Sequence, residues 1–203
     1  LNDDWTVSWS ESDLMSVFNR GAGENTWSDN CRFVVSDPAR GGFVKDASES
    51  TKKLISGKDS YDWYACSPWM QYGANPSGTK GYTVNRTPRQ MGYGSTAHLS
   101  ESDIVAGKVL AVPSGTAPEL KLYHVCTVLK FTVVNNTGSS VAITSLTLDA
   151  LSGGSYITGS FTMDWGLGNS DMPRLDATKM GSAKAYTCAL NVVENKGDET
   201  TPE

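Results

Sequence analysis

Apolar and polar residues alternate with a period of two in several short stretches, and the longest apolar run lies within Leu120 to Ala150. Val125, Leu129, Phe131 and Val133 share one parity, while Leu120, Leu122, Cys126, Val128 and Val134 share the other. Successive residues of a strand project to opposite faces, so this run predicts a strand buried on both sides. Asn135-Asn136-Thr137-Gly138-Ser139-Ser140 follows with turn chemistry, because Asn and Gly accept positive φ. In the returning run the apolar parity slips from Val141 and Ile143 to Leu146 and Leu148, which predicts a β-bulge near Thr144-Ser145. The hairpin is the expected centre of the fold.

Elsewhere the alternation predicts further strands at Trp5–Trp9, Leu14–Phe18, Cys31–Val35, Tyr61–Cys66, Val109–Val112, Ile157–Trp165 and Tyr186–Val192. Ser10-Glu11-Ser12-Asp13 reads as a turn, Arg20 to Asn25 as a loop, and Gly41-Gly42-Phe43 as the start of a short extended piece. Asp46 to Ser60 is polar and irregular, with one helical turn at Thr51–Ile55. Residues 73–96 read as a long surface excursion, and Asn169 to Gly181 as a loop. A segment at Ser100–Ala106 has Ser100 or Ser102 as a candidate N-cap. These elements predict an all-β protein: an antiparallel β-sandwich of about seven to nine strands with long loops and little helix. One domain is expected over residues 1–193, with 194–203, which carries no core residues, as a flexible tail or the start of a following segment.

Composition supports this reading. A chain of 203 residues buries roughly 70% of its unfolded surface. Ser, Thr and 20 Gly are abundant. The net charge of −5 argues against nucleic acid as a partner, which needs a basic face to displace counterions. No apolar run reaches the ~20 residues of a membrane-spanning helix.

The four cysteines, Cys31, Cys66, Cys126 and Cys188, lack the paired spacing of a zinc site. Two readings stand: one or two disulfides in an exported protein, or buried thiols acting as small hydrophobes.

Chemistry-bearing patterns are few. Of two histidines, His124 falls on the Leu122 and Cys126 parity and reads as a hydrogen-bonded core residue, while His98 has no metal-ligand companions. Ser-Glu-Ser-Asp occurs at 10–13 and again at 100–103. Sandwich glycosidases place carboxylates on alternate residues of one strand, but here the third carboxylate is missing, so turn or cap chemistry is the better account. No spaced Asp loop for calcium is present near Asp3-Asp4. The expectation is a protein with no catalytic residues, no cofactor and no metal. The aromatics crowding residues 61–93 offer stacking platforms for sugars, and Trp69 and Tyr72 are the candidate contacts.

The order of these segments resembles the N-terminal domain of the fimbrillins, the fimbrial and fimbrillin-like surface proteins of Bacteroidetes. Trp5 with Asp13-Leu14-Met15-Ser16-Val17-Phe18 is similar to the family's opening, and Tyr61 to Pro68 to its aromatic strand ending in Pro. Arg89-Gln90 and Ser102 to Ala106 also match, and Leu122-Tyr123-His124-Val125-Cys126-Thr127-Val128-Leu129-Lys130-Phe131-Thr132-Val133 matches best. Ile143 to Leu148 and Ile157 to Phe161 complete the series. The resemblance implies a cell-surface subunit whose partners are other fimbrial subunits, joined by β-strand addition, and host or microbial glycans or proteins. It further implies export to the outer membrane, with a lipid anchor and processing site upstream of Leu1 and a second sandwich beyond Glu203. Four cysteines depart from what the family leads one to expect.

Overall fold

The computed structural model describes residues 8–69, 82–85, 89–92, 103–127, 129, 131, 134–149, 158–166, 172–183 and 185–190. Over these residues the protein is all-β and contains no helix. Twelve strands form, more than the seven to nine expected: β1 (Leu14–Gly21), β2 (Cys31–Asp37), β3 (Gly42–Lys45), β4 (Ser60–Ser67), β5 (Tyr82–Asn85), β6 (Arg89–Gly92), β7 (Val105–Pro113), β8 (Tyr123–His124), β9 (Ser145–Asp149), β10 (Thr158–Asp164), β11 (Arg174–Ala183) and β12 (Ala185–Leu190). Strand pairing builds a six-stranded sheet in the order β3-β2-β1-β4-β7-β8 and three-stranded sheets ordered β11-β10-β5 and β6-β12-β9. The β12–β6 pair is parallel, which the expectation of a wholly antiparallel fold did not include.

The centre of the large sheet is β1 with β4, not the 120–150 hairpin. Phe18 of β1 packs with Tyr64 and Cys66 of β4, Ile104, Ala106, Met163 and Trp165 on one face, and Met15 and Val17 pack with Ala65 on the other. Because both parities are apolar, β1 is buried on both sides. Each large side chain buried there is worth about 1.5–3 kcal/mol. Lys108 Nζ on β7 donates to the carbonyls of Trp165 and Gly166, tying the sheet to the end of β10.

The expected central hairpin is corrected in three respects. Leu120 and Leu122 pack on one face, and Val125 and Cys126 on the other, yet among the described residues of this run only Tyr123–His124 pairs as a strand. Beyond them Leu129 and Phe131 are 52% exposed, Val134 71% and Val141 55%. The returning strand, β9, pairs with β12 instead. No bulge occurs at Thr144-Ser145: β9 starts at Ser145 with unbroken register to Asp149, because Val141 and Ile143, which created the parity slip, lie outside it. The register shifts fall elsewhere, at Val35/Asp37, Tyr61/Trp63 and Ser160/Thr162.

Other expectations shift for local reasons. The helical turn at Thr51–Ile55 does not form, because its amides are taken by side chains across the loop. Lys53 N–H donates to Asp29 Oδ2 at 2.8 Å and Ile55 N–H to Asn19 Oδ1 at 2.8 Å. The described part of Ser100–Ala106 is extended and leads into β7, which begins four residues before the expected Val109. The presumed loop at Asn169–Gly181 contains most of β11, an edge strand, where a polar sequence is tolerated. The 73–96 excursion contains β5 and β6. The segment 1–7 and the tail 194–203 lie outside the described residues.

Candidate functional site

Antiparallel pairing brings the start of β1, the end of β4 and the start of β7 to one end of the sheet, since Ser16 lies opposite Cys66 and Ser67 opposite Val105. The segments leading into and out of these strands form a half-open cleft of about 220 Å³. Its walls include Trp9, Ser12, Asp13, Ser67, Trp69 and Asp103.

Each wall is fixed by backbone hydrogen bonding. The Ser10–Asp13 turn closes through Asp13 N–H to Ser10 O at 3.0 Å, and Asp13 Oδ2 accepts from Ser10 N–H at 2.8 Å. That confirms turn chemistry for the first Ser-Glu-Ser-Asp. Ser67 Oγ and Trp69 N–H both donate to Leu14 O, at 3.1 and 2.9 Å, seating the chain after β4 against the start of β1.

The Trp69 ring is backed by the Arg32 guanidinium, 4.8 Å from its centroid. Arg32 does not line the cleft. Asp46 holds Arg32 Nε at 2.7 Å. Two hydrogen bonds from Ser48, followed in weight by Arg32, keep the Asp46 carboxyl below the usual carboxylate range. Trp9 is steadied by an edge contact with Phe43, centroids 5.0 Å apart.

Asp103, whose side chain is 9% exposed, meets His124 Nδ1 at 2.8 Å. This corrects the reading of His124 as a core residue: its side chain is 42% exposed and it partners Asp103 across the β7–β8 pair. The reason lies in β8, which is two residues long and forms the edge of the sheet, so the His124 side of the strand stays open.

Trp69 therefore lies in a cleft, whereas the other candidate sugar contact, Tyr72, lies outside the described residues, as does His98. Sequence reasoning missed Trp9, Asp13 and Asp103 as partners of Trp69. Asp13 and Asp103 are the final residues of the two Ser-Glu-Ser-Asp copies, and both line this cleft. Cys31 and Cys66 are fully buried and Cys126 is half-buried. Burial raises the Cys31 thiol to about 11. Among the described residues no cluster of His, Cys, Asp and Glu is arranged to hold a metal ion. Comparison with protein-family models, with curated proteins and with solved structures found no match.

Proposed function

We propose that this chain is a non-enzymatic, exported cell-surface subunit, fimbrial or fimbrillin-like, that assembles with other subunits by β-strand addition. In this reading its sheets belong to one β-sandwich. The observation that carries the proposal is a set of exposed apolar side chains: Leu129, Phe131, Val134, Val141 and Leu148. Among the described residues β7 is paired on its outer side at Val105 and Ala106. An incoming strand would bury such side chains at about 1.5–3 kcal/mol each and add ladder hydrogen bonds near 1 kcal/mol each. The total is on the order of 10 kcal/mol before ordering costs.

Sedimentation of the purified protein over a range of concentrations tests this. Wild type is expected to associate, and Phe131→Asp with Val134→Asp to remain monomeric at an unchanged melting temperature, since both sites are exposed. A wild type that stays monomeric, or variants that associate equally well, would sink the proposal.

A second reading, a carbohydrate-binding surface module, is favoured by the position of Trp69 in the cleft. It is compatible with the first, because an adhesive subunit needs both a means of assembly and a ligand site.

A further inference from the structure

We propose that the cleft where Asp13 and Asp103 converge binds a single neutral pyranose ring, stacked on Trp69 and hydrogen-bonded through the two carboxylates. This deepens the carbohydrate reading and is independent of strand assembly.

Ring size follows from volume. About 220 Å³ falls below the ~300–1,000 Å³ of sites that enclose drug-sized ligands, so the cleft has room for one ring rather than an extended chain. Stacking follows from the indole. Sugar rings present C–H groups on one face, and a flat, electron-rich ring with its other face fixed is the surface that packs against them. Arg32 packs over the Trp69 ring, is paired with Asp46 and does not line the cleft, so it places no cation there.

The carboxylates are prepositioned for hydroxyl groups. One oxygen of each is engaged, Asp13 Oδ2 by Ser10 N–H and Asp103 Oδ1 by His124 Nδ1. Among the described residues, the other oxygen of each has no hydrogen-bond partner. A carboxylate fixed through one oxygen loses little freedom when the other accepts a ligand O–H, and charge-assisted hydrogen bonds are about twice as strong as neutral ones. Ser12 and Ser67 also line the cleft. Two carboxylates in the lining, with the Arg32 cation held by Asp46, disfavour acidic sugars and phosphates.

The test is saturation-transfer NMR of the intact protein with methyl pyranosides of neutral hexoses and with N-acetylneuraminic acid, followed by titration. At least one neutral pyranoside is expected to bind and the acidic sugar not to. Trp69→Ala should weaken binding at least tenfold. Asp13→Asn and Asp103→Asn, which keep an oxygen for Ser10 and His124, should weaken it severalfold without lowering the melting temperature. If Trp69→Ala fails to fold, the two Asn variants decide. Binding that all three variants leave unchanged overturns this site while the carbohydrate reading survives. Binding of no pyranoside overturns both.

Discussion

Arg20 and Asp62 meet at 3.0 Å between β1 and β4, with side chains 8% and 6% exposed. The Asp62 carboxylate also accepts from Gly23 N–H at 3.3 Å and from Ala111 N–H at 3.0 Å. The guanidinium lies 4.9 Å from the Trp27 ring centroid and 5.8 Å from that of Tyr64. Removing one partner of a buried pair costs about 3–5 kcal/mol, because the other charge is left uncompensated. Asp62→Ala is expected near that range, since it strands a cation and two amides. Arg20→Met should cost less, as the carboxylate keeps both amide donors. Urea melts of the two variants check the order, and the reverse order would contradict this account of the pair.

Gly107 marks where β7 passes beneath the incoming chain. A Cβ there would overlap the Lys121 carbonyl oxygen and crowd Leu122. Backbone cannot yield as a flexible side chain does. Gly107→Ala should therefore cost about 1–3 kcal/mol and loosen Leu120 and Leu122 from their packing beside Met15 and Val17. Thermal unfolding measures the cost, and a melting temperature equal to wild type would show that the 120–122 segment is not seated as described.

Much of the large sheet was legible from alternation alone. Leu14–Phe18, Cys31–Val35 and Tyr61–Cys66 are strands because their apolar residues meet partners across the sheet. Alternation reports amphipathicity but not pairing, and for that reason Leu129, Phe131 and Val134 read as core while standing exposed. β11 escaped notice for the opposite reason, its sequence being polar. The cleft was half legible: Trp69 drew attention as an aromatic near a strand end. Its companions come from residues about 55 positions before it and about 35 after it in sequence, and only the register of β1, β4 and β7 unites them.

Alkaline pH should destabilise the protein over two overlapping ranges. Burial raises Cys31 from 9.0 to about 11 and Tyr64 from 10.0 to about 12. The unfolded chain releases these protons first, so the stability they contribute is complete below about pH 9. It declines as the pH rises through 9–11 for Cys31 and 10–12 for Tyr64. At about 1.4 kcal/mol per pH unit, Cys31 alone accounts for about 2–3 kcal/mol. Urea melts between pH 8 and pH 11 should show the decline, and Cys31→Ala should flatten its first part. An equal slope in the variant would assign the loss to other groups.

The proposed strand addition predicts where protection must appear if subunits join. Hydrogen exchange of the amides at 129, 131 and 134–144, and along the outer edge of β7, compares monomer with any fibres the protein forms most directly. The account predicts rapid exchange at these amides in the monomer and slowing by orders of magnitude in the fibre, with the β1–β4 centre protected in both. Fibres in which these amides exchange as fast as in the monomer would contradict it.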